Sequence, residues 1–383
     1  MKNKFKTHSI YYVILILVIF ILSFYFLSYI YTLNSRKNRT IVLEKSLFNN
    51  NQPNGKTYEL GIQSVSRLDT NYMFFNVTVL DNDTIMFKTL DKNDYEKIST
   101  LDIDNNKLTE IYKKNNGSFN HLAVSGDGKK IIYSDFIREK NNWKTYLYDV
   151  NTKQTTEVIT DGSYANLIIN NNKYIGVNDN DLFMKDLNTG EVNNLASATI
   201  KGITQTNAPK AKEMYTLKSS QDGNTVYLIY QGIKPSSTEA KSRILKVNLQ
   251  NKETSEDIIE GTVYNLIPLN DGNFIFTGSI QGTDGIFIYN VKGKSYKNLK
   301  QGNIYNMEVT EDNKKIAYDI SNNNGVSQLH VALFNKDKIE ADTTVYGNAR
   351  YGNSLKWSKD GKKLLYFTGY NGGSTIYRFS FKE

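Results

Sequence analysis

From about residue 56 to the end, short runs of β-branched and aromatic residues alternate with clusters of Asn, Asp and Gly. No stretch there keeps a 3.6-residue apolar period over three turns, so the pattern predicts strands joined by tight turns and no helices. One turn-plus-strand unit recurs. It reads DNDTIMF from Asp81, DGKKIIY from Asp127, NNKYIG from Asn171, DGNTVY from Asp222, DGNFIF from Asp271, DNKKIAY from Asp312 and DGKKLLY from Asp360. The anchors stand 46, 44, 51, 49, 41 and 48 residues apart, a mean of 46.5, which is the length of one four-stranded propeller blade.

A second landmark trails most anchors: LYDVNTK from Leu147, MKDLNTG from Met184, KVNLQNK from Lys246 and IYNVKGK from Ile288, with weaker copies from Leu101 and Leu333. Tight hairpin turns need φ > 0, which Gly and Asn reach at little steric cost. Each repeat therefore carries two hairpins, the first joining strands A and B and the second joining C and D. The predicted fold is an all-β propeller of seven four-stranded blades, with six or eight as the alternatives. The last repeat stops at its third-strand position, and an open ring would expose two sheet edges. The missing strand is expected from residues 56–65, paired beside the last blade.

The N-terminal region has a different pattern. Residues 10–31 form 22 consecutive uncharged, largely apolar positions, about 33 Å as a helix against a hydrocarbon core of roughly 30 Å. Tyr11, Tyr12, Tyr29 and Tyr31 fall where interfacial aromatics belong. The run is too long for a signal-peptide core, and neither a small-residue cleavage site nor a lipobox cysteine follows it. The expected order is a basic tail (residues 1–9), a transmembrane signal anchor (10–31), a linker or stalk (32–55) and the propeller (56–383), with the N-terminus inside and the propeller outside. Positive charges number three on each side of the span, so orientation rests on the α-amino group and on the usual layout of a signal anchor.

WSKDGKKLLY from Trp357 and VSGDGKKIIY from Val124 resemble the W-S-P-D-G-K-x-I-x-Y/F repeat of TolB-like, WD40-like propellers, and are similar to blades of prolyl-oligopeptidase and dipeptidyl-peptidase propellers. The resemblance covers roughly residues 56–383. The usual Pro is Lys359 or Gly126 here, and seven repeats are counted where TolB has six blades. The likeness implies a fold and does not carry a function with it.

Composition narrows the chemistry. Formal net charge is +8, but six of the basic residues flank the apolar run, leaving +2 for residues 40–383. The basic balance thus belongs to the membrane boundary, and nucleic acid is not expected as a partner. The absence of cysteine removes disulfides, thiolate metal sites and thiol catalysis. The Asn- and Lys-rich composition resembles that of AT-rich Gram-positive genomes. Of three histidines, His8 precedes the span, and His121 and His330 fall in separate repeats, where a structural role is expected. No G-x-S-x-G elbow, H-E-x-x-H or P-loop is present. Asp102 to Lys113 begins like an EF-hand loop but carries Lys107 where Gly is needed and Lys113 where Glu is needed.

No catalytic, metal or cofactor-binding residue is assigned. The expected function is an extracytoplasmic binding or scaffold module for a protein, peptide or cell-envelope glycan. The alternative is a propeller enzyme, a lyase or glycan hydrolase, with its site at the channel mouth. Short A–B and C–D turns leave one face of the disc, so the partner is expected on the opposite face, formed by residues 135–142, 197–214, 231–241, 278–285, 321–326 and 369–374.

Overall fold

The computed structural model describes residues 17–26, 39–43, 61–70, 73–90, 95–114, 118–137, 142–159, 163, 165–178, 181–196, 215–232, 241–321, 326–350, 352–370 and 373–381. Two strands precede the first complete blade, β1 (Arg39–Leu43) and β2 (Ile62–Thr70). Blade 1 is β3 (Phe75–Val79), β4 (Thr84–Leu90), β5 (Glu96–Asp102) and β6 (Lys107–Lys113). Blade 2 is β7 (Asn120–Val124), β8 (Lys130–Ile137), β9 (Asn142–Asp149) and β10 (Gln154–Ile159). Blade 3 is β11 (Ala165–Ile169), β12 (Lys173–Val177), β13 (Leu182–Asp186) and β14 (Val192–Ala196). Blade 4 is β15 (Tyr215–Ser219), β16 (Thr225–Gly232), β17 (Lys241–Asn248) and β18 (Thr254–Ile259). Blade 5 is β19 (Gly261–Pro268), β20 (Phe274–Ile280), β21 (Thr283–Asn290) and β22 (Ser295–Gln301). Blade 6 is β23 (Met307–Val309), β24 (Lys315–Ser321), β25 (Val326–Asn335) and β26 (Lys338–Arg350). Blade 7 takes β27 (Gly352–Trp357), β28 (Lys363–Tyr370) and β29 (Gly373–Phe381) from the C-terminus. Six sheets are four-stranded antiparallel meanders and the seventh is antiparallel and joined from both ends of the chain, so the seven-bladed propeller is established.

Blade 7 is completed from the far end of the chain. β2 pairs antiparallel with β29, with Leu68 opposite Ile376 and Val65 opposite Phe379. The closing strand is therefore Ile62–Thr70, overlapping the expected 56–65 only at its start. β1, inside the segment read as linker, pairs with β2 as a fifth strand.

Seven apolar clusters hold the ring, one at each blade-to-blade interface. Strand alternation accounts for this. On β20, Phe274 and Phe276 pack toward blade 4 while Ile275 packs toward blade 6. The B and C strands are covered on both sides, which is why they read as continuous apolar runs instead of apolar and polar residues in alternation.

The helix expected over residues 10–31 is described over 17–26 only, and residues 10–16 and 27–31 lie outside the described residues. Among the described residues, no helix is long and apolar enough to cross a membrane. The ten-residue helix is exposed all round, with Phe20 at 71% and Tyr25 at 76%.

Candidate binding face and central channel

Each A–B turn is built by local hydrogen bonds. Ser125, Ser220, Thr310 and Ser358 stand two residues before the turn aspartate and donate their hydroxyls to Asp127, Asp222, Asp312 and Asp360 at 2.5–2.6 Å. The same hydroxyls accept the backbone N–H five residues on, as from Lys130 and Lys363 at 2.9 Å. The glycine after the aspartate has φ of +71° at Gly128 and +66° at Gly361, the left-handed region that favours Gly. Hydrogen bonds from Ser220 and Asn224 hold the Asp222 carboxyl below the ordinary aspartate range.

Neighbouring turns then bond to each other. Asp127 N donates to Asn171 Oδ1 at 3.3 Å, Asn270 N to Asn313 Oδ1 at 2.8 Å, and Asp360 N to Asn82 Oδ1 at 3.1 Å. Lys359 Nζ donates to Gly126 O at 3.1 Å, skipping over blade 1. Polar contacts thus link the turns of blades 2 and 3, 5 and 6, 7 and 1, and 7 and 2 on this face.

The opposite face has a different surface. Phe75, Leu90, Tyr95, Phe136 and Tyr305 are exposed and lie at strand ends or in the connections next to them, on the B–C and D–A side, and Tyr264 is exposed at the bulge in β19. On the propeller, among the described residues, only Val192 and Tyr296 are exposed large apolar side chains near the short turns. Tyr264 and Tyr305, 45% and 52% exposed, have ring centroids 5.4 Å apart. Phe136 packs on Trp143, and Trp143 also meets His121 edge to face at 5.5 Å. Lys113 lies over the Tyr95 ring and Lys88 over Phe75.

Residues 197–214, 233–240, 138–141, 322–325 and 371–372 lie outside the described residues, and with them much of the long-loop surface expected from the sequence, including Pro209 and Pro235. Of those segments only 278–285 is described throughout, and it is not an irregular loop. β20 and β21 meet at a two-residue turn, with Gln281 at φ +50° and Gly282 at φ +76°.

The two propeller histidines are not brought together. His121 is on blade 2, while His330 is buried on blade 6, stacked on Tyr318 at 5.2 Å. His330 Nδ1 lies 2.9 Å from Asp342 Oδ1, and Lys300 Nζ donates to Asp342 Oδ2 at 2.6 Å. Burial would raise the Asp342 pKa, but hydrogen bonds from His330 and Lys300 outweigh it and hold the carboxyl well below the usual range. Asp102 and Asn105, in the rejected EF-hand match, form a C–D turn in which Asp102 accepts Asn105 N at 2.9 Å. Among the described residues, no group of three or more His, Asp or Glu gathers as metal ligands would.

Two cavities are notable among the described residues. One of about 410 Å³ lies between blades 2 and 3, lined by Glu157, Ile159, Asp181, Phe183 and Asn194. The other, about 290 Å³, lies in the channel between the innermost strands of blades 6, 7 and 1.

Fold and face together define a seven-bladed β-propeller with one polar, short-turn face and one face richer in exposed aromatic side chains. No protein-family model matches the chain, and no curated protein does. Solved structures share the fold. A chain titled mitotic checkpoint complex matches with a TM-score of 0.57 at 9% identity, covering 88% of this chain and 96% of that one. The propeller domain of the trilobed protease from Pyrococcus furiosus, described as having an open velcro topology, matches with a TM-score of 0.54 at 11% identity, covering 82% and 95%. TolB from Acinetobacter baumannii aligns with a TM-score of 0.41 at 12% identity, covering 82% and 79%, too low to carry argument beyond the repeat likeness.

Proposed function

We propose that the chain is a membrane-anchored, extracytoplasmic scaffold whose propeller docks a protein, peptide or cell-envelope glycan on its aromatic face. The observation that carries this reading is that exposed aromatic side chains gather toward the side opposite the short turns, with Tyr296 the exception among the described residues. The short-turn face bonds to itself, whereas Tyr264 and Tyr305 present ring area that contact with a partner would cover. The anchor is supported by the uncharged run 10–31 and by the exposure of the helix at 17–26, whose apolar surface lipid would cover.

The test uses the full chain in native membranes. Affinity capture after mild solubilisation should recover a partner with the wild-type chain and with Lys129→Glu/Lys362→Glu. Capture should be lost with Phe136→Ala/Tyr264→Ala/Tyr305→Ala while the melting temperature is kept, and carbonate washing should leave the chain in the membrane pellet. Capture that survives the aromatic changes and fails with the lysine changes contradicts the reading.

A further inference from the structure

The chain enters the propeller on the side of the aromatic face. At the B–C end of blade 7, Thr368 pairs with Thr375, Thr375 with Asp69, and Asp69 with Arg39. Arg39, the first residue of β1, therefore lies at the end of the blade that carries the B–C and D–A connections, while Leu43 lies toward the short turns. β1 is the outermost strand of its sheet, so entry is at the rim of the disc.

Only seven residues, 32–38, separate the apolar run 10–31 from Arg39. A tether of that length, fully extended from residue 31 to residue 39, reaches at most about 29 Å. Strands such as β28, with eight residues, set the two faces of the disc roughly 25 Å apart. With the short-turn face on the bilayer, Arg39 would stand that far above it and the tether would be drawn almost straight. With the opposite face down, the same tether is slack.

Exposed apolar side chains lie beside this entry point, on the same side of the disc. Met73, Phe75, Leu90 and Tyr95 are all exposed at one end of blade 1, where Phe75 pairs with Lys88 and Leu90 with Glu96. Blade 1 adjoins blade 7, with Phe74 packed on Phe367. Lys113 Nζ lies 4.9 Å from the centroid of the Tyr95 ring. Rings and aliphatic side chains beside an ammonium group suit a membrane interface, where acyl chains cover the apolar part and the cation meets lipid phosphate.

We propose that the propeller sits with its aromatic face toward the bilayer, and that Met73, Phe75, Leu90 and Tyr95 rest in the headgroup region of the membrane that holds the anchor. This placement rests on the anchor proposed above. It gives the blade 1 part of the face to lipid and leaves Phe136, Tyr264 and Tyr305, elsewhere around the ring, to the partner. A partner docking there then lies in the layer next to the membrane.

The chain has no cysteine, so one introduced cysteine carries one fluorophore. Full-length Leu22→Cys, Met73→Cys, Tyr95→Cys and Lys362→Cys chains are labelled and reconstituted in vesicles of equal parts phosphatidylcholine and phosphatidylglycerol, with a lipid spin-labelled on its headgroup or deep in its acyl chain. The acyl-chain label should quench position 22, and the headgroup label should quench positions 73 and 95 at least twofold more than position 362. If Tyr95→Cys does not fold, Met73→Cys decides. The vesicles hold no other protein, so a protein partner has no part in the signal. Quenching at 22, with 73 and 95 quenched no more than 362, overturns the placement, leaves the anchor standing and returns the blade 1 patch to the partner. No quenching at 22 overturns the anchor and the placement with it.

Discussion

Asp342 shows what a single residue contributes to blade packing. It joins β26 to β25 through His330 and to blade 5 through Lys300, so one carboxylate spans an interface. Its folded-state pKa is depressed, and the stabilisation is therefore present above the unfolded carboxylate value of about 3.9 and lost as pH falls through the folded value. Asp342→Asn should cost about 1–3 kcal/mol at pH 7, and the melting-temperature gap from wild type should narrow steadily on acidification below pH 4. A gap that is constant with pH would mean the carboxylate charge contributes nothing. Turn residues such as Ser358 and Gly361 were legible because their chemistry is local. The Glu308–Lys356 pair was not legible in advance, since it is defined by the packing of neighbouring blades and its members lie 48 residues apart. Aligning the strands by their anchors would have exposed it.

At the scale of elements, closure depends on β2. Leu68 and Val65 are both nearly inaccessible and face opposite blades, Leu68 toward blade 1 and Val65 toward blade 6. Leu68→Ala should lower unfolding free energy by about 2–5 kcal/mol, while Ser64→Ala, at an exposed position on the same strand, should change it by less than about 0.5 kcal/mol. Equal effects in chemical denaturation would mean β2 is not an integral strand. Its pairing was legible from the missing fourth strand of the last repeat. Its register was not, because only packing against blades 1 and 6 selects Ile62–Thr70. The misreading of residues 278–285 as a loop has a similar origin. Gly278 and Gly285 resemble loop glycines in the sequence, yet they pair with each other in adjacent strands. A Cβ on Gly278 would stand 2.1 Å from Thr262 O, and one on Gly285 2.2 Å from Lys300 O, so close backbone approach and not a turn accounts for both.

At the scale of the whole molecule, meander connectivity sends two kinds of connection to two faces, and the surface chemistry follows. Short Asx and Ser/Thr turns satisfy their own polar groups and link neighbouring blades. The other ends of the strands carry exposed aromatic rings and the longer connections. The repeat period made the ring and the two faces legible, but exposure of a tyrosine at a strand end depends on which neighbours cover it, so the aromatic face emerged only from the fold.

Docking of a partner on the aromatic face, as proposed above, predicts which surface positions lie against that partner. A photo-reactive amino acid installed singly at Tyr305, Phe136, Lys129 or Lys362 in the full chain, and activated by light in intact cells, reads this directly. Cross-linked species of one partner mass should appear from positions 305 and 136 and be absent from 129 and 362. The same adduct formed from positions 129 and 362, with none from 305 and 136, would contradict the claim.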